Sequence, residues 1–98
     1  MKVSLHRRAR SDLEAIRSYL LKHADVQAAE RVKEHLRTKI SRLANRPFIG
    51  TATDDPDIRI LPPTRYPYRI YYTVTANAVI VLNIRHSSQR APTDVEVS

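Results

Sequence analysis

Residues 66–86 read YPYRIYYTVTANAVIVLNIRH. Tyr68, Ile70, Tyr72 and Val74 fall on one side of an extended chain and Arg69, Tyr71, Thr73 and Thr75 on the other, the period of two that a half-buried strand requires. From Ala78 to His86 the pattern continues, with Ile80, Leu82 and Ile84 as the apolar set and Val79, Val81, Asn83 and Arg85 opposite them. Matching the two apolar sets across a hairpin needs paired numbers with an even sum. That rules out a two-residue loop at Ala76-Asn77 and predicts the three-residue loop Thr75-Ala76-Asn77, with Asn77 in the left-handed region. The resulting register sets Ile70 against Leu82 and Arg69 against Asn83.

Working outward, Asp57–Leu61 reads as a third strand with Ile58 and Ile60 inward and Arg59 outward, ended by Pro62-Pro63, which donate nothing to a ladder. A five-residue connection from Pro62 to Tyr66 then sets Arg59 opposite Arg69. Upstream, Thr51–Pro56 is polar and predicts a surface loop, and Gly50, the only glycine, is free to take a positive φ there. Asn45-Arg46-Pro47 ends a helix that Asp25 caps, with the apolar stripe Ala29, Val32, Leu36, Ile40 and Leu43. Before it, Ala9, Leu13, Ile16 and Leu20 predict a helix from Arg8 to about Ala24. Ser11-Asp12-Leu13-Glu14 matches a capping box that would start it later, but Ala9 continues the stripe and favours the earlier start. Met1–His6, with Val3 and Leu5 inward, is short enough for an edge strand. The fold class is therefore α+β: an N-terminal edge strand, an antiparallel helix hairpin, then a three-stranded antiparallel meander with the helices on one face. The other face displays Arg59, Leu61, Arg69, Tyr71, Thr73, Val81, Asn83 and Arg85.

A chain of 98 residues makes one domain (1–98), and the segment from Ser87 to Ser98, broken by Pro92, is expected to be loose or held by a partner. Cysteine is absent, which excludes disulfides, thiol nucleophiles and thiolate metal sites. The N-terminus MKVSLHRRAR has no apolar run of the signal-peptide kind, and no segment approaches the ~20 apolar residues of a membrane span. A cytoplasmic protein that does not engage membranes is the expectation. The formal charge of +7 favours acidic partners such as nucleic acid or an acidic protein segment.

The four histidines, at 6, 23, 35 and 86, lack metal-ligand spacing, and neither a Gly-rich phosphate loop nor a nucleophile elbow occurs, so no metal or cofactor is expected. Arg59 facing Arg69 across strands is destabilising unless an anion sits between them. His86 shares the parity of Ile84 and so is expected to face the helix layer.

The order of several short motifs resembles the RelE/ParE family of bacterial toxins from type II toxin-antitoxin pairs. They are A-x-x-D-L-x-x-I-x-x-Y-L from Ala9, L-x-x-x-P-x-x-G from Leu43, I-R-x-L from Ile58, Y-R-I-Y-Y from Tyr68 and I-R-H from Ile84. The resemblance implies a small basic toxin neutralised by a cognate antitoxin, which wraps it with an extended segment and binds operator DNA through its other part. RelE-like members cleave mRNA on the ribosome; ParE-like members poison DNA gyrase by binding. If the chain were an RNase, Arg59, Arg69, Tyr71, Arg85 and His86 would carry the chemistry. As a binder it would use Arg59, Arg69, Tyr71, Asn83, Arg85 and Arg90 of the tail. Lysine occurs only at 2, 22, 33 and 39, none expected on the sheet, and no aromatic follows His86. Arginine stays protonated at neutral pH, so an RNase would lack a general base, and the ParE-like reading is preferred.

Overall fold

The structure, a computed structural model, describes residues 1–88. In chain order it comprises β1 (Lys2–Leu5), α1 (Arg7–His23), α2 (Val26–Ser41), a 3-10 turn (Arg42–Ala44), β2 (Thr51–Ala52), β3 (Arg59–Leu61), β4 (Tyr68–Val74) and β5 (Ala78–His86). The strands form one sheet in the order β1-β5-β4-β3-β2. Every pairing is antiparallel except β1 with β5, which is parallel and joins two strands separated in the chain by the helix pair and β2 to β4. The class is α+β with the helices on one face, as expected, and the sheet is larger than expected. Thr51 and Ala52, read as loop, pair with Ile60 and Arg59. β1 also places Lys2 on the sheet, against Ala78, at the far end of β5 from Arg85.

The helix stripes are as read. Ala9, Ala29, Val32, Leu36 and Leu43 are buried, with Leu13, Ile16, Leu20 and Ile40 packed beside them. His6 caps α1 through Nδ1, which accepts the Arg8 N–H at 3.1 Å, and Asp25 caps α2 by accepting the Ala28 N–H at 2.7 Å. Lys39 is buried on α2, where no cation is expected. Its ammonium donates to the Pro62 carbonyl at 2.6 Å, while burial, and then Arg42, lower its pKa.

The early start of α1 frees Asp12 from capping. β1 ends at Leu5, and after the His6 N–H reaches the Val81 carbonyl at 2.8 Å, β5 has no strand beyond it on that side. The Asp12 carboxylate takes the place of that neighbour by accepting the Ile84 N–H at 2.8 Å. Asp12→Ala is therefore expected to lower stability by about 1–3 kcal/mol, the cost of stranding a part-buried donor, with faster hydrogen exchange at the Ile84 amide. An unchanged urea midpoint and unchanged exchange there would contradict this role.

Two registers differ from the sequence reading, for one physical reason each. In the hairpin, Thr75 N–H donates to the Ala78 carbonyl at 2.8 Å and closes a two-residue loop, Ala76-Asn77. The Thr75 hydroxyl supports it by accepting the Ala78 N–H at 3.0 Å. No residue there has a positive φ. The parity conflict is absorbed by a β-bulge, for Tyr71 pairs with Asn83 but Tyr72 with Val81, leaving Leu82 as the extra residue. The apolar set of β5 therefore switches. Ile84 faces the helices together with Val79 and Val81, whereas Ile80 and Leu82 face away.

In β3, Arg59 pairs with Tyr72 and Leu61 with Ile70, so Arg59 is not opposite Arg69. Leu61 and Arg59 lie on the helix side, and Ile58 and Ile60 join Tyr71 and Leu82 in a small second cluster on the other face. The alternation of β3 is as read, but Ile58 and Ile60 bury against Tyr71 and Leu82 on the far face instead of against the helices. Gly50 does not use a positive φ either. A Cβ built there would meet the Tyr72 hydroxyl oxygen at 2.6 Å, Tyr72 Cε1 at 2.7 Å and the Ile60 carbonyl at 2.9 Å, so glycine is needed for space.

Candidate functional site

β4 and β5 bring Arg69 and Arg85 directly opposite each other on the face away from the helices. A like-charged cross-strand pair costs stability unless an anion offsets it. The sequence-derived idea of an arginine pair thus survives with a different partner, Arg85 in place of Arg59. Asn83, two residues along β5, completes the patch. It is 2% exposed, with its amide nitrogen 3.4 Å from the Asp12 carboxylate. Asn83 Oδ1 and Arg85 Nε are buried and have no hydrogen-bond partner among the described residues. Buried polar atoms are seldom left so, which makes this pair of atoms the polar feature of the sheet face that the fold itself leaves unsatisfied among the described residues.

Of the other site candidates, Arg59 and His86 are not brought to this patch, and Tyr71 lies on its face, opposite Asn83, but buried. Arg59 is engaged on the opposite side, donating to the Gly50 carbonyl at 2.7 Å and the Phe48 carbonyl at 3.3 Å, with its guanidinium 5.2 Å from the Phe48 ring. It fastens the loop after α2 and leaves Phe48 63% exposed. Tyr71 has the predicted face but is 4% exposed beneath Ile58 and Leu82. His86 follows the expected parity. It pairs with Tyr68 on the helix side, ring centroids 5.6 Å apart and edge to face, and its Nδ1 lies 2.7 Å from the Ser88 hydroxyl. Burial and the nearby Tyr19 raise the Tyr68 pKa, which keeps that phenol protonated. Ser87 N–H donates to the Pro67 carbonyl at 2.7 Å, so the first tail residue is tied to the sheet. Arg90 and the expected loose tail beyond Ser88 lie outside the described residues.

Sequence reasoning missed a second feature, an apolar groove of about 770 Å³ where the helix pair meets β1. Val3, Leu5, Leu13, Ile16, Val32 and Ile40 contribute apolar walls, and Arg10, Arg17, Lys33 and Arg37 line it as well, against one carboxylate, Glu14. Each stripe was legible, but reading the stripes as core alone hid that part of them lines an open groove. Among the described residues, no group of three or more His, Asp or Glu side chains is placed to hold a metal ion, and no helix is long and apolar enough to cross a membrane.

The sheet order, the bulged hairpin bearing paired arginines and the helix hairpin on one face define a small basic α+β protein. Over residues 3–91 the chain matches the family model described as the ParE toxin of type II toxin-antitoxin systems, parDE, and it belongs to that family. Among solved structures it resembles the chromosomal ParDE toxin-antitoxin system from P. aeruginosa, with a TM-score of 0.79 at 20% identity over 88% of this chain and 95% of that one. The isolated E. coli RelE toxin aligns with a TM-score of 0.58 at 16% identity, covering 91% of this chain and 86% of that one. The toxin-antitoxin complex RelBE of E. coli gives 0.57 at 17% identity, covering 91% and 98%. A search of curated protein sequences returns no match.

Proposed function

We propose that this toxin acts in the cytoplasm by binding and poisoning DNA gyrase, without chemistry of its own, and that a cognate antitoxin neutralises it. The observation that carries the choice of target is that neither Tyr71 nor His86 offers an accessible proton carrier beside the arginine pair. Tyr71 is buried under Ile58, and His86 stacks against Tyr68 on the far side of the sheet. Arg69 and Arg85 alone bind and orient an anion but accept no proton at neutral pH, which suits a binder better than a nuclease. The groove between the helices suits the antitoxin: apolar walls and basic side chains fit an amphipathic, acidic segment. Operator DNA would then be reached through the antitoxin.

Inducing the chain alone in a bacterial host should arrest growth, and co-expressing the adjacent small open reading frame should restore it. Purified protein with gyrase should leave cleaved or unrelaxed plasmid while ribosome-bound mRNA stays intact. Unimpaired growth at confirmed soluble expression would count against toxicity, and clean mRNA cleavage would replace the gyrase reading with the nuclease one.

A further inference from the structure

A second recess, of about 320 Å³, lies between α2 and the Pro62–Pro67 connection, on the helix layer and away from the Arg69–Arg85 patch. One wall is a single face of α2, where Arg31, Glu34, His35 and Thr38 follow each other at helical spacing, and the other is Arg65 and Tyr66. The two walls are joined: the Thr64 hydroxyl lies 3.2 Å from His35 Nε2, the Tyr66 ring meets the His35 ring edge to face at 5.0 Å, and the Arg65 guanidinium sits 5.7 Å from the Tyr66 ring. Positive charge converges on this spot from every element around it. His35 has its pKa lowered by burial and then by Lys39, Arg65 and Arg42, while Glu34 is the one carboxylate in the lining.

Lys39 is itself drawn inward by the Pro62 carbonyl, which fixes its charge behind the recess instead of letting it swing into water. A run of cations on an exposed helix is ordinarily solvated and spread out. Here Thr64 and Tyr66 hold His35, the Tyr66 ring lies beside Arg65 and the Pro62 carbonyl holds Lys39, while Arg31 lines the same concave site, an arrangement that raises the local potential toward anions. The donors arrive from two walls rather than as one flat fork, which suits a tetrahedral anion better than a planar carboxylate.

We propose that this recess is a phosphate-binding site, in which Arg31, Arg65 and a protonated His35 take a phosphoryl group such as that of a nucleic-acid strand. The site is separate from the arginine pair and does not depend on which target the toxin has. A bound phosphate offsets the repulsion that Lys39, Arg42 and Arg65 exert on His35, so binding and protonation of that ring are linked. Occupancy raises the His35 pKa, and affinity rises as pH falls, levelling off below the lowered pKa of the unoccupied site.

The test follows the His35 ring resonance by NMR against pH at fixed ionic strength, with no addition and with a short oligothymidylate, inorganic phosphate or oligoglutamate in turn. A raised His35 pKa with oligothymidylate supports the site and identifies a nucleic-acid backbone as the source. The same rise with inorganic phosphate alone also supports it and identifies free phosphate. Arg65→Ala should weaken oligothymidylate binding roughly ten-fold and reduce its log–log salt slope by about one, since a charge-assisted phosphate contact is lost. Lys22→Ala, which removes one exposed charge from the last turn of α1, should leave the His35 response intact. No rise with either phosphate ligand, or equal losses from Arg65→Ala and Lys22→Ala, would overturn the proposal. A rise with oligoglutamate alone would also overturn it, in favour of an acidic protein segment.

Discussion

Gly50→Ala is expected to lower folding stability by about 1–3 kcal/mol from overpacking, and by a similar amount again where the Gly50 N–H loses its acceptor. The added methyl would sit 2.6 Å from the Tyr72 hydroxyl oxygen and 2.9 Å from the backbone carbonyl of Ile60, and the carbonyl belongs to a ladder that cannot give way. Tyr72 is fully buried, so its ring has nowhere to retreat, and moving it breaks the 2.8 Å bond in which the Gly50 N–H donates to the phenol oxygen. Tyr72→Phe should cost about 1–2 kcal/mol by removing that acceptor alone. The double variant should lose less than the sum, because phenylalanine vacates the nearest clash. Urea unfolding of the four proteins checks this; strict additivity would mean that the clash is relieved elsewhere.

The same variant has a pH signature. Burial raises the Tyr72 pKa above its ordinary 10.0, with the Gly50 N–H and Arg59 acting against that shift. The folded state therefore holds its proton where the unfolded chain releases it. This stability is fully present below pH 10 and is lost as pH rises through the folded value. Tyr72→Phe should flatten part of the alkaline loss and leave the rest to Tyr68, whose pKa is also raised.

Arg69→Ala and Arg85→Ala should move activity and stability in opposite directions. Each substitution removes one member of a like-charged cross-strand pair, so stability should hold or rise by about 0.2–1 kcal/mol. Loss of a desolvated charge contact to the target should weaken the proposed gyrase inhibition by about 2–5 kcal/mol in binding, which is about thirty-fold at the least. Because both guanidiniums would address one anionic group, the double substitution should fall short of the summed losses. Melting curves and plasmid assays on the same preparations separate the outcomes. Activity falling only in step with stability would reduce the pair to a structural accident. A catalytic donor would instead show a fall of ~10²-fold in mRNA cleavage rate.

Much of this molecule was legible because helices declare themselves locally. The stripes of α1 and α2, the Asp25 cap and the inward set of β4 from Tyr68 to Val74 are all read from spacings within one element, and the structure has them in place. The parity of His86 was legible too, since no irregularity separates it from Ile84. The family motifs pointed to the right toxin family for a related reason: they record the order of elements, which does not depend on how strands register.

What escaped was everything decided between elements. Strand alternation specifies two faces but does not say which one a long apolar strand will bury when both sides hold apolar residues. In β5, Val79 and Val81 compete with Ile80 and Leu82, and only the bulge at Leu82 settles the contest. Arg59 reads as outward until the Phe48–Gly50 carbonyls supply it with acceptors on the helix side. Asp12 looks like a capping residue until β1 stops short and leaves the Ile84 N–H in need of it.

The sequence by itself therefore determined the helix pair, its buried stripes, and a positively charged toxin of this family, but it ruled out the Ala76-Asn77 loop that the hairpin in fact uses. Tertiary structure alone decided that Arg69 meets Arg85, that Tyr71 beside them is buried, and that Gly50 is present for the Tyr72 ring. Residues within an element are related by a fixed period, whereas residues on different strands are related by a register, and one inserted residue reverses every face beyond it.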